Sequence, residues 1–220
     1  MAPRGWTHPN DVRLGYQRSM PPRPAEQRRL QYREETRRAI LDAAEALLVE
    51  DGVDAFSMRR LAERCGCTAP TLYHYFRDKP GLIETLLEER MRQLVDDLRE
   101  EPLRAEPREQ VRAMCLSFAR FGVRNPRHYE LFALNRGPDA GDPPAGEEAR
   151  RLLLGPLEEL ARRGGLGAAQ LETLRLGLWS LLHGYILLRV THPEEAWSDV
   201  VLERALDALL ENTLGEAARR

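Results

Sequence analysis

Residues 61–76, Leu-Ala-Glu-Arg-Cys-Gly-Cys-Thr-Ala-Pro-Thr-Leu-Tyr-His-Tyr-Phe, constrain this chain more than any other stretch. Their order predicts a helix, a tight turn and a second short helix. Leu61 and Ala62 belong to an apolar face. Gly66 stands where the first helix must stop, in a position that needs a left-handed backbone. Thr68 is a good N-cap for the next helix, and Pro70 falls in its first turn, where a missing N–H costs little. Leu72 and Phe76, four apart, anchor that helix inward. Thr71, Tyr73, His74 and Tyr75 then include its outward positions. A short helix that shows hydroxyls and aromatics to solvent needs something to touch. In a helix-turn-helix that something is the major groove of DNA.

The flanking sequence reads as helix throughout. Ile40, Ala43, Ala44, Leu47 and Leu48 recur at spacings of three and four in a helical stretch that begins at Glu26 and ends at Asp51-Gly52. Phe56 plugs the small core, and Ser57 caps the helix that begins at Met58. Asp78 caps a long helix to about Arg99, with the apolar row Leu82, Ile83, Leu86, Leu87, Met91, Leu94, Val95 and Leu98. Pro102 and Pro107 punctuate the next boundary. Helices are expected at 108–123 and 126–134, a loop at 136–146, and further helices near 147–163, 168–190 and 194–214. No period-two pattern suggests a strand. The expected fold is all-α, with about nine helices. A three-helix helix-turn-helix head at 26–80 is joined by a long helix to an all-helical body at 81–220. Residues 1–25, with Pro3, Pro9, Pro21, Pro22 and Pro24 among scattered arginines, read as a flexible tail. It is either an extension without a role or a basic arm for a minor groove, and Met20 offers an alternative start.

Charge divides along the same line. Residues 1–80 carry 14 Lys+Arg against 11 Asp+Glu, and residues 81–220 carry 19 against 24. A mildly basic head on an acidic body fits a protein that touches DNA at one end. No run of 18 apolar residues and no secretory signal is present, and three cysteines make no disulfide framework, so a cytoplasmic location is expected. No phosphate loop, metal triad or nucleophile elbow argues for an enzyme.

Residues 36–87 resemble the DNA-binding head of the tetracycline-repressor (TetR) family of transcriptional regulators. The resemblance is carried by Gly52, Phe56, Gly66, Thr71-Leu72-Tyr73, Phe76 and Lys79 in register. The rest of the chain is similar to one carboxy-terminal class of that family, through Asn125, Pro126 and Tyr129 and through Trp179, His183 and Gly184 at Trp-x-x-x-His-Gly spacing. The resemblance implies a homodimer that binds a palindromic DNA operator, and a body that holds a small-molecule effector pocket; it implies no cofactor. It also implies that Tyr73, Tyr75 and Lys79 hold phosphates while Ala69, Pro70, Thr71 and His74 face base edges. Arg37, Ser57, Arg59 and Thr68 complete the candidate contact set. Ala69 and Cys67 depart from the polar and aliphatic residues many relatives carry there.

Phe118, Phe121, Tyr129, Phe132, Trp179 and His183 are the candidate ligand-binding residues. They would line an apolar cavity between the helices at 108–123 and 126–134 and the helix bearing Trp179. Phe118, Phe121, Tyr129 and Phe132 read as core by default, and Trp179 and His183 as either core or pocket wall, with Gly184 permitting a close helix approach. Leu174, Leu178, Leu181, Leu202, Leu206 and Leu209 present more apolar surface than one small body needs, so a four-helix dimer interface is expected there. Cys65 and Cys67 form a Cys-x-Cys pair without the second pair that a zinc site requires; they are small core residues or, alternatively, a thiol sensor. The resulting function is a ligand-responsive transcriptional repressor released by an apolar or amphipathic effector. The alternatives are an all-α protein-interaction module and a redox-sensing regulator. Steep weakening of binding by salt separates DNA recognition from protein recognition.

Overall fold

Caps chosen by the sequence decide where each helix of the amino-terminal half begins. The computed structural model describes residues 24–134 and 143–217, without side-chain detail at 133, 134, 216 and 217. Nearly all of the expected tail, and most of the expected loop at 136–146, lie outside the described residues. The chain divides into two units, residues 1–36 and 37–220. Of the first, the described part is the exposed opening turns of helix α1 (Pro24–Ala55). Everything below concerns the second.

Helix α1 breaks its helical backbone at Gly52, whose φ of 79° is open to glycine and strained for other residues. One more turn follows, closed by the Phe56 N–H on the Gly52 carbonyl. Helices α2 (Met58–Cys65) and α3 (Ala69–Tyr75) come next, then the long α4 (Lys79–Glu100), capped by the Asp78 carboxylate on the Gly81 N–H at 2.8 Å. The body is α5 (Pro107–Arg124), α6 (Pro126–Leu134), α7 (Pro144–Gly164), α8 (Ala168–Thr191) and α9 (Asp199–Ala217). Among the described residues there are nine helices and no strand.

Two boundaries differ from expectation. Helix α7 starts at Pro144 rather than 147, because Pro144 supplies a first-turn proline and Ala145 is fully buried, so packing recruits residues whose composition reads as loop. Helix α9 starts at Asp199 rather than 194. The intervening residues form turns pinned by Trp197, whose indole N–H donates to the His192 carbonyl at 2.8 Å and whose ring meets Tyr185 edge-on.

Three apolar cores result. The head core joins Leu41, Leu48, Phe56, Leu61, Leu72, Phe76, Leu82 and Leu86, and it also takes in Leu131 from α6. A second core lies among α5, α7, α8 and α9, and a third among α4, α5 and α7. Leu174, Leu178, Leu202 and Leu206 are buried in the second core within one chain, and Leu181 and Leu209 pack against it. Four of the six leucines of the expected dimer surface are thus used up within their own chain, and Leu181 and Leu209 are only partly exposed. The apolar side chains that α8 and α9 leave exposed are Leu176, Trp179, Leu187, Leu188, Val200 and Val201.

Candidate nucleic-acid interface and effector site

The turn between α2 and α3 is built by three residues. Ser57 opens α2, its hydroxyl accepting from the Arg60 N–H at 3.3 Å. Gly66 ends it with φ 62°; its N–H reaches the Glu63 carbonyl and the Cys67 N–H reaches Ala62, the paired bonds of a Schellman close. Thr68 then caps α3, its hydroxyl 3.4 Å from the Thr71 N–H and 2.9 Å from the Thr71 hydroxyl. Leu72 and Phe76 bury the inner face of α3. Pro70, Tyr73 and His74 are exposed, and Ala69, Thr71 and Tyr75 are half-buried.

The candidate contact set divides accordingly. Thr68, Pro70, Thr71, Tyr73 and His74 stand together on and before α3, with Ala69 beneath them. Tyr75 packs against the head core, edge-on to His74. Arg59 extends into solvent with a loose contact of 3.8 Å to Glu63. Arg37 is not part of this group: its guanidinium donates to Glu89 on α4 at 2.7 Å. Lys79 differs most from expectation. Its ammonium donates to the carbonyls of Val53 and Phe56, each at 2.8 Å, and sits 5.6 Å from the centre of the Phe56 ring. Two of its three N–H groups thus close the carbonyl end of α1 instead of facing outward. Arg77, missed in the sequence, is as exposed as Arg59 and follows α3 directly. A cation between the recognition helix and the next N-cap was the signal available. Cys65 and Cys67 pack against the head core, and burial pushes the Cys65 thiol pKa up, which disfavours the reactive thiolate.

The aromatic residues of the body form two groups. Phe118, Tyr129 and Trp179 surround His183, with ring centres 5.6, 5.5 and 4.0 Å from the imidazole. The Tyr129 hydroxyl lies 2.8 Å from His183 Nδ1 and donates to the His183 carbonyl at 3.1 Å. Burial lowers the His183 pKa and raises that of Tyr129 to about 12, so both groups are neutral near pH 7. Phe121 and Phe132 instead belong to the core shared with α4 and α7, and Phe121 contacts His128. A cleft of about 670 Å³ is lined by none of the candidate ligand residues but by Arg37, Glu84, Thr85, Leu87, Glu88, Glu89 and Arg92 with Pro143 and Pro144. It is bordered by five charged side chains and lies between α4 and the start of α7, not among α5, α6 and α8 where the apolar cavity is expected.

Helix α6 connects the two regions. His128 Nε2 lies 3.3 Å from Glu45 on α1, Tyr129 faces His183 on α8, and Leu131 is buried in the head core. Glu45 in turn pairs at 3.3 Å with Arg90 of α4, a guanidinium 3% exposed that also binds Asp42 and Glu89. Neighbouring residues of one short helix thus lie against α1, the head core and α8.

Comparison with known proteins agrees with this geometry. Residues 40–86 match the family described as bacterial regulatory proteins, tetR family, and residues 111–212 match the tetracyclin repressor-like C-terminal domain. The chain belongs to the tetracycline-repressor family. It is a helix-turn-helix, DNA-binding regulator of transcription. An uncharacterised transcriptional regulator of Mycobacterium tuberculosis, Rv0681, is 27% identical to this TetR-family chain over 83% of it and 86% of the relative. A TetR-family regulator from Shewanella sp. PV-4 has the same fold, with TM-score 0.64, 22% identity, and coverage of 80% of this chain and 96% of the other. The regulator FadR of Bacillus subtilis, solved in complex with stearoyl-CoA, is similar over 80% of this chain and 96% of its own, with TM-score 0.57 and 18% identity. No helix among the described residues is long and apolar enough to cross a membrane.

Proposed function

We propose that this TetR-family protein is a cytoplasmic repressor that binds a palindromic operator as a homodimer and is released by a small apolar or amphipathic effector bound beside His183. The observation that carries the reading is the position of α6: Tyr129 hydrogen-bonds to His183, Leu131 is buried in the head core, and His128 lies 3.3 Å from Glu45 without a hydrogen bond to it. An effector that shifts Tyr129 shifts the same helix that holds α1 and the head. A differential affinity of about 1–3 kcal/mol between the two arrangements changes operator affinity by roughly 5–150-fold.

In this reading α3 enters the major groove. Pro70 and Ala69 offer apolar contact to a thymine methyl, and Thr71 and His74 offer hydrogen bonds to base edges. Tyr73, Arg59 and Arg77 reach phosphates. The exposed apolar residues of α8 and α9, Leu176, Leu187, Leu188, Val200 and Val201, form the dimer contact. A solved neighbour of the same fold, FadR of Bacillus subtilis, is in complex with stearoyl-CoA, an amphipathic molecule. Binding-site selection with purified protein tests the DNA half: an enriched inverted repeat is expected, with affinity that falls steeply with salt. A flat sequence distribution would refute it. Release of that repeat by members of an apolar and amphipathic compound panel tests the effector half.

A further inference from the structure

We infer that His183 anchors the effector through a lone pair: the ligand is a neutral, largely apolar molecule that donates one hydrogen bond, from a hydroxyl or an N–H, to His183 Nε2. The inference rests on the effector site proposed above and adds the ligand's polar chemistry.

Counting protons gives the argument. The Tyr129 hydroxyl touches two acceptor positions, His183 Nδ1 at 2.8 Å and the His183 carbonyl at 3.1 Å, but it carries a single proton. If that proton goes to Nδ1, the carbonyl contact has none. If Nδ1 carries the proton instead, Nδ1–H donates to the phenol oxygen and the phenol donates to the carbonyl. The second arrangement makes two bonds where the first makes one. It fixes the imidazole as the Nδ1–H tautomer, so Nε2 presents a bare lone pair. That nitrogen is buried and has no hydrogen-bond partner.

The surroundings select what can approach it. Phe118 and Trp179 flank the ring. Burial keeps the imidazole neutral, so a carboxylate finds lone pair facing lone pair, with no cation to reward it. A hydrocarbon fills the aromatic surround and leaves Nε2 unpaired. A phenol, an alcohol or a secondary amide satisfies both.

The test compares para-butylphenol, butylbenzene and para-butylbenzoate, which are similar in size, on the full-length protein. Trp179 fluorescence and operator release are the readouts, with nitrogen NMR of labelled histidine for the tautomer. The free protein should show His183 protonated at Nδ1 and pyridine-like at Nε2. The phenol should shift the Nε2 signal and bind about 10-fold more tightly than either comparison compound, the loss expected for one hydrogen bond. In a His183→Phe variant that preference should vanish. A free-state proton on Nε2, or equal binding of hydrocarbon or carboxylate, overturns the inference and leaves the effector site standing. Silence from all three compounds removes the site itself, and the inference with it.

Discussion

Replacing Lys79 with Met separates two roles that one ammonium could play in this head. Lys79 donates to the Val53 and Phe56 carbonyls at 2.8 Å each, and those carbonyls close the end of α1 after the Gly52 break. Hydrogen bonds from a charged donor contribute about 1.5–3 kcal/mol each when buried. Here the site is only partly buried, and the freed carbonyls regain water, so the pair together should be worth about 2–3 kcal/mol. Met keeps the aliphatic stem over Phe56, so packing is largely conserved. In a chain of this size that loss should lower Tm by roughly 4–12 °C, measured by calorimetry without DNA at fixed protein concentration. A phosphate contact predicts a different pattern. Stability would be unchanged, and the slope of log affinity against log salt would fall by about 0.9 for each lost contact. Unaltered stability together with a reduced salt slope would refute the structural role. Destabilisation with an unchanged slope would establish that Lys79 acts on DNA only by holding the head.

Tyr73→Ala should weaken binding to all sequences alike, whereas His74→Ala should relax preference at one base pair per half-site by about 1–3 kcal/mol, as read from operator variants. Gly122→Ala would bring a Cβ to 2.8 Å from Ile186 Cδ1 and 2.9 Å from Cγ2, so overpacking between α5 and α8 should cost about 1–3 kcal/mol in denaturant unfolding, with only partial recovery on adding Ile186→Val, which removes Cδ1 but keeps Cγ2. Leu188→Glu should give a folded monomer with weak operator affinity by sedimentation, while Leu174→Glu, at a fully buried position, should unfold the chain. His183 has a lowered pKa in the folded state, so the unfolded chain binds more protons; stability should fall as pH drops through the ordinary imidazole value of 6.5, and His183→Gln should flatten that part of the profile.

The head was legible because its signals are local. Ser57, Thr68 and Asp78 each cap a helix within three residues of themselves, and Gly66 needs its positive φ whatever the rest of the chain does. Helix ends set by packing were less legible. Pro144, Ala145 and Gly146 have loop composition, yet the buried site for Ala145 makes them the first turn of α7. The leucines of α8 and α9 were misassigned for a related reason. Periodicity shows that a helix has an apolar stripe but not whether the stripe faces its own chain or a second copy. Leu174 and Leu206 face their own core, and the exposed stripe runs through Leu176 and Leu188.

The candidate site was half legible for the same physical reason. Tyr129 and His183 lie 54 residues apart, and only their shared hydrogen bonds show that they act as one group. Sequence spacing does place His128, Tyr129 and Leu131 on successive faces of a short helix, which by itself says only that α6 is buried on several sides. What gives the arrangement meaning is that each face meets a different partner: Glu45 of α1, His183 of α8 and the head core. In the proposed reading, a ligand that displaces Tyr129 from His183 would act on the same helix whose Leu131 is buried in the head core. His128 and Leu131, absent from the candidate site read in the sequence, place the helix that carries Tyr129 against α1 and the head core.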